Sequence, residues 1–208
     1  VVTNLQTSRS DVLDDFASRG FPFILVDPPT RGPYPSVEID RASGYRDAVR
    51  HLASKGRLSI ALALEEFRSL ERLSGYREGL EAVGLGFASE LVLHCGKGFH
   101  GGREAGEALF ALMRSRPVDA VLCHNDKVAA GMLSLLHERA VSVPEDLAIV
   151  GFDDDDYSAY LSPPLTTIAQ PGGEVGAYIF EQLFNRLGLG SEIRNKTYGT
   201  NLVPRQSA

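Results

Sequence analysis

The sequence predicts an α/β protein built on mostly parallel, doubly wound sheets. Short apolar runs alternate with amphipathic helix stripes nearly from end to end, and glycines close several of the helices. Strands separated by helices of roughly ten to fifteen residues imply right-handed crossovers between parallel strands.

Taken in order, residues 8–19 read as a helix with Val12, Leu13 and Phe16 on one face, Ser8 and Asp11 spaced as a capping box, and Gly20 as its stop. Residues 21–26 read as a buried strand. A Pro/Gly-rich loop (28–35) precedes a short strand at 37–39, and Tyr45, Ala48, Val49 and Leu52 form a helix face ended by Gly56. The strand at 60–64 leads to a helix marked by Leu73, Tyr76, Leu80 and Val83, then to a strand at 91–93. Ala105, Leu109 and Leu112 mark the next helix, followed by a strand at 120–123. Val128, Met132, Leu135 and Leu136 face inward from another helix, and the strand at 147–150 is apolar throughout. A strand at 166–169, a helix over 174–187 and a closing strand at 197–203 complete the chain. The loop before Ser36 and the proline pair before Leu165 are places where the chain can pass between two sheets, so two lobes are expected.

Composition narrows the function. With 208 residues, 43% apolar and 23% charged, the chain is globular in composition, and no apolar run approaches the roughly 18 residues that a membrane span needs. A formal net charge of -6 argues against this chain gripping nucleic acid by itself, because phosphate neutralisation takes a basic face. Cys95 and Cys123 are too few for a disulfide scaffold and fit buried thiols in a reducing compartment. No targeting segment is visible, and the cytoplasm is expected.

Polar residues recur just beyond strand ends: Asp27, then Glu65, Glu66 and Arg68, then Asn125 and Asp126, then Asp153. In open parallel sheets these positions share one rim, where ligands bind. Amide, carboxylate and guanidinium groups together suit a small polyhydroxylated or polar heterocyclic ligand. The competing reading for Asn125 or Asp126 is a helix N-cap.

Other patterns carry less. Gly96-Lys97-Gly98-Phe99-His100-Gly101 matches the dinucleotide fingerprint but lies well along the chain, with loose spacing to Asp119 or Asp126, so a glycine-rich turn is the preferred reading. His94, Cys95, His100, Cys123 and His124 lack metal-ligand spacing, and no metal or cofactor is expected. The run Asp153 to Asp156 is expected to be mostly solvated. Neither a G-x-S-x-G elbow nor a phosphate-binding G-x-x-x-x-G-K-[ST] loop occurs, and an enzyme is not favoured.

Longer stretches carry a family resemblance. Val121-Leu122-Cys123-His124-Asn125-Asp126-Lys127-Val128-Ala129-Ala130-Gly131, Val143-Pro144-Glu145-Asp146-Leu147-Ala148-Ile149-Val150-Gly151-Phe152-Asp153-Asp154, and Tyr160-Leu161-Ser162-Pro163-Pro164-Leu165-Thr166-Thr167-Ile168 with Gln170-Pro171 resemble the effector domain of the lactose-repressor (LacI/GalR) family of bacterial transcriptional regulators. Upstream, Ile24 to Asp27, Ser36 to Asp40 with Gly44, His51-Leu52 with Gly56, and Glu71-Arg72 with Gly75-Tyr76 follow the family's order.

The resemblance implies a two-lobe, periplasmic-binding-protein-like fold with an incomplete first lobe at 1–39 and 171–197, and a second lobe at 40–170 and 198–208. It implies a helix-turn-helix, a hinge helix and further strands ahead of Val1-Val2, which reads as a strand end. It also implies a homodimer, a sugar-like small-molecule effector, and operator DNA bound only through that preceding domain. Carried over by position, Arg72 matches the effector-binding arginine, Asp153 the aspartate that pairs with ligand hydroxyls or polar ring atoms, and Asn125 the asparagine of the asparagine-aspartate motif. Asp27 matches the acidic residue at the first-lobe strand end, Gln170 the glutamine near the crossover, and Phe99 a pocket aromatic. Arg68 stands where relatives carry a small polar residue, implying an anionic or strongly accepting effector group; the alternative is an exposed loop cation. A periplasmic-type sugar-binding protein of a transporter, which shares the two-lobe fold, is the competing function.

Overall fold

The computed structural model describes residues 2–3, 10–28, 32–65, 69–189 and 192–208. The chain forms two units, Val1–Asp40 with Pro171–Gly199 and Arg41–Gln170 with Thr200–Ala208, and its backbone crosses between them after residues 40, 170 and 199.

The first unit holds strands β1 (Val2–Thr3), β2 (Leu25–Val26) and β3 (Ser36–Asp40) and helix α1 (Ser10–Ser18). Its sheet, in the order β1-β2-β3-β9, is parallel throughout, with β9 (Lys196–Gly199) arriving after a long helix, α6 (Gly172–Leu189). Adjacent residues separate to two apolar clusters: Leu13, Phe23 and Leu25 in one, Ile24, Val37 and Val175 in the other. Neighbouring positions on extended backbone point to opposite sides, which is why Phe23 and Ile24 part company. Only Leu25–Val26 of the expected strand at 21–26 makes ladder bonds, and Phe21 is exposed. Phe23 and Ile24 are apolar because they pack, outside the ladder. The capping box expected from Ser8 lies outside the described residues.

The second unit contains α2 (Arg41–Ser54), β4 (Ile60–Glu65), α3 (Ser69–Ala82), β5 (Val92–Cys95), α4 (Gly98–Met113), β6 (Ala120–Cys123), α5 (Asp126–Glu138), β7 (Ala148–Asp153), β8 (Thr166–Ala169) and β10 (Asn201–Val203). Its sheet runs β10-β8-β7-β6-β4-β5, parallel except for the antiparallel edge strand β10. Every residue of β4 is buried, as a central strand covered on both faces must be. Ile60, Leu62 and Leu64 join Tyr45, Leu52 and Tyr76 of α2 and α3, while Ala61 and Ala63 join Leu109, Met132 and Leu136 of α4 and α5.

One departure from the sequence reading has a clear cause. The single closing strand expected over 197–203 is two strands, β9 in the first sheet and β10 in the second, divided at Thr200. Thr200 is buried and lies 3.5 Å from the Ser43 hydroxyl, so the chain is redirected at that residue. The Gly96 to Gly101 stretch is also explained by packing. Gly98 opens α4 at a φ of 61°, and a Cβ on Gly101 would overlap the Gly96 carbonyl.

Helices α4 and α5 touch through their backbones: a Cβ on Gly102 would overlap the Val128 carbonyl, and one on Gly131 the Phe99 carbonyl. Backbone cannot give way as a flexible side chain can. Gly131→Ala is therefore expected to destabilise the second unit by about 1–3 kcal/mol, measured as a lower midpoint in chemical denaturation.

Candidate functional site

The carboxyl ends of β4, β6, β7 and β8 in the second unit carry, in turn, Glu65, His124-Asn125, Asp153 and Gln170. Parallel register brings these ends to one edge, where their side chains interact. Arg72 comes from α3, and Arg41 from the first residue of α2.

Asp153 and Gln170 are directly bonded: the Gln170 amide donates to Asp153 Oδ1 at 2.5 Å. Gln170 Oε1 in turn accepts from Arg41 at 3.3 Å, and Arg41 also reaches Glu71 at 3.4 Å. Gln170 thus spans a cation and a carboxylate, which fixes the orientation of its amide. Asp153 has a φ of 110°, and burial pushes its carboxyl up to about 6 against the opposing pull of the Gln170 hydrogen bond and Arg72.

Arg72 is only 5% exposed. Its Nε donates to the His124 carbonyl at 3.2 Å, and its guanidinium carbon sits 5.0 Å from the centre of the Phe152 ring. Phe152 stacks on Tyr45, with centroids 5.6 Å apart, and the Tyr45 hydroxyl donates to the Cys123 carbonyl at 2.7 Å. An aromatic pair therefore holds the arginine from one side while a backbone carbonyl fixes its turn.

Asn125 does two things at once. Its Oδ1 accepts from Val128 N at 2.9 Å, so it is the N-cap of α5, and its Nδ2 donates to Glu65 Oε1 at 3.2 Å. Glu65 Oε1 also accepts from Gly98 N at 3.0 Å, tying the start of α4 to the same edge. Phe99 follows on that turn, 53% exposed, with its ring 6.0 Å from Tyr157. Asn125→Ala is expected to cost about 1–2 kcal/mol through loss of the cap, and Asn125→Ser to recover most of it; thermal melts of the two variants check this.

The cap reading and the rim reading of Asn125 therefore both describe the same side chain. Asp126 is the first residue of α5 and is fully buried. It accepts from the Ser158 hydroxyl (2.6 Å), the Thr167 hydroxyl (2.5 Å) and Asp155 N (2.8 Å), which leaves it structural and turned away from any nucleotide role.

The structure corrects the expectation that Asp153 to Asp156 is mostly solvated. Only Asp156 is exposed. Asp154 pairs with Arg205 at 2.6 Å, and Asp155 accepts from the Tyr157 hydroxyl at 2.9 Å. Their partners lie across the chain or two residues on, which adjacency alone does not disclose.

Of the remaining expected residues, Asp27 lies in the first unit, at the end of β2, with a φ of 50° and its Oδ1 accepting from Ile39 N at 2.9 Å. Arg68 and Glu66 lie outside the described residues. Sequence reasoning missed Arg41 and treated His124 only as a possible metal ligand. The strand-end rule, applied to β3 and to Cys123, points at both. A separate cavity of about 520 Å³, lined by Leu133, His137, Val143, Glu145 and Ser162 among others, contains none of the expected residues. Among the described residues no His/Cys/Asp/Glu group could hold a metal ion, and no helix is long and apolar enough to cross a membrane.

Comparison with known proteins adds an independent result. A family model for the periplasmic binding protein-like domain matches residues 49–208. The HTH-type transcriptional repressor CytR of Escherichia coli (strain K12) is 37% identical over 145 residues, covering 68% of this chain and 42% of that repressor. Among solved structures, a transcriptional regulator CelR–cellobiose complex matches with a TM-score of 0.85 at 29% identity, over 100% of this chain and 65% of that one. A LacI-family sugar-binding transcriptional regulator from Escherichia coli, complexed with phosphate, matches with a TM-score of 0.88 at 28% identity, over 100% and 75%. The chain thus spans less than half the length of the curated repressor it matches.

Proposed function

We propose, from the premise that this chain belongs to the periplasmic binding protein-like domain family in its LacI/GalR-regulator form, that it is the effector-binding and dimerisation part of a transcriptional repressor. The observation that carries this reading is the convergence of Arg72, Asn125, Asp153 and Gln170 at one sheet edge, with the Asp153 and Gln170 side chains bonded to each other. The groups offer an ionised carboxylate at neutral pH, two amides and a fixed guanidinium. That set suits a sugar or a similar small polar metabolite, bound by paired hydrogen bonds rather than by chemistry. Asp27, Phe99 and Arg68 belong to the same proposal, as further effector contacts.

In this reading the first unit is a partial N-terminal lobe and the second unit the C-terminal lobe. The protein acts in the cytoplasm as a homodimer, without catalysis, and operator DNA is held by a separate N-terminal domain. Effector binding favours one lobe arrangement over another, and operator affinity changes by the difference in effector affinity between the two.

The coding sequence immediately upstream of Val1 tests this directly. A helix-turn-helix and hinge followed by two βα units is the expected result. A signal peptide leading straight into those βα units would overturn the reading in favour of a transporter's binding protein.

A further inference from the structure

Beside the residues already assigned stands a second polar pair whose hydrogen-bonding capacity is only partly used among the described residues. His124 and Glu65 end adjacent strands β6 and β4, and both are deeply buried, with side chains 5% and 10% exposed. Glu65 spends Oε1 on Gly98 N and Asn125, while its Oε2 faces His124 Nε2 across 3.9 Å. That gap exceeds a hydrogen bond. His124 Nδ1 is buried with no hydrogen-bond partner among the described residues.

The protonation state follows from the surroundings. Burial, with Arg72 and Arg41 nearby, pulls His124 down to about 3, so the imidazole is neutral and carries one proton. A buried N–H without an acceptor costs more than a bare lone pair, which places the proton on Nε2, toward Glu65, and leaves Nδ1 as the unused acceptor. Glu65 then presents an acceptor and His124 a donor, 3.9 Å apart. An oxygen about 2.8 Å from each atom would subtend roughly 90° between them, near the angle between the proton and a lone pair of a hydroxyl. Bare apolar groups fit neither partner, and a carboxylate or phosphate oxygen would meet the Glu65 charge.

We propose that Glu65 and His124 form a hydroxyl-binding subsite in which one hydroxyl of a polyhydroxylated effector donates to Glu65 Oε2 and accepts from His124 Nε2. The proposal rests on the effector-binding reading above and deepens it: the pair adds specificity for a free hydroxyl at one ligand position. The arrangement is rigid, because Glu65 is already anchored by the start of α4 and by the α5 cap.

The test is binding of D-ribose, D-glucose and cellobiose to the complete protein, by calorimetry and by the ¹⁵N imidazole resonances of His124. At least one sugar is expected to bind and to shift Nε2. His124→Leu is expected to weaken that sugar by about 10- to 100-fold, the loss of a hydrogen bond in a charge-assisted pair. His124→Gln, which keeps a donor, should recover most of the affinity. A sugar whose binding depends on Arg72 and Asn125 but leaves the His124 resonances unmoved would overturn the subsite while the proposed function stands. Failure of the folded wild-type protein to bind any of the three sugars would overturn the subsite, while the upstream coding sequence decides the proposed function separately. Should His124→Leu fail to fold, the wild-type resonances decide alone.

Discussion

Asp153→Asn is expected to make the free protein more stable above pH 6 and a poorer effector binder. The folded carboxyl is pushed up to about 6 from an ordinary value of 3.8, with burial as the main cause. For an acid raised on folding, the native state binds its proton first. Its ionised form is therefore a cost that is absent below the unfolded value, grows between about 4 and 6, and is fully present above 6. The difference corresponds to at most about 3 kcal/mol, and partial exposure of the side chain lowers the expected gain to about 1–2 kcal/mol at pH 7.5. Asparagine keeps the oxygen that accepts from Gln170, so the amide need not turn. On the proposed function, what it loses is the charge that would meet ligand hydroxyls, and a tenfold or greater fall in sugar affinity is expected.

His124 acts in the opposite direction. Its folded value lies near 3 and its ordinary value is 6.5, so acid withdraws stability as the unfolded state takes up the proton below pH 6.5. In the wild type, Asp153 gains stability over part of the same range, and the two slopes partly cancel. Asp153→Asn removes one of them. Urea unfolding midpoints from pH 7.5 to 4.5 should therefore fall more steeply in this variant than in the wild type. A variant whose profile runs parallel to the wild type would sink the assignment of the raised carboxyl to Asp153.

The largest loss of stability is expected from Asp126→Ala, at about 3–5 kcal/mol. The carboxylate is wholly buried and accepts from two hydroxyls and a backbone N–H, drawn from β8, from the turn after β7 and from Asp155. Removing it strands all three donors in the interior, each at about 1–3 kcal/mol before local relaxation. Asp126→Asn retains one acceptor oxygen and should cost less. Equilibrium denaturation of both variants measures the difference. Equal losses would show that the charge, and not the number of satisfied donors, is what the fold requires.

The element order was readable in advance because it is encoded locally. Strands 120–123 and 166–169 coincide with β6 and β8, and the stripe Tyr45, Ala48, Val49, Leu52 is wholly buried along α2. The edge that carries Asn125 and Asp153 was also readable, since parallel strands place their carboxyl ends together whatever their order in the sheet, whereas Gln170 was reached only through the family resemblance. Arg41 escaped because it opens a helix whose first turn has no apolar stripe to mark it. The division of 197–203 between two sheets escaped because both halves are equally good strand, and only pairing with β3 or β8 distinguishes them.

Sequence by itself thus determined which segments are strand or helix and which polar residues stand at strand ends, because periodicity and chain direction are properties of a few consecutive residues. Tertiary structure alone decided which of those polar groups are spent and which remain to meet a ligand. Asp126 is consumed by Ser158 and Thr167, Asp154 by Arg205, and one oxygen of Glu65 by Asn125 and Gly98. A hydrogen bond joins groups that are close in space, and the partners here stand between 32 and 60 positions apart in the chain.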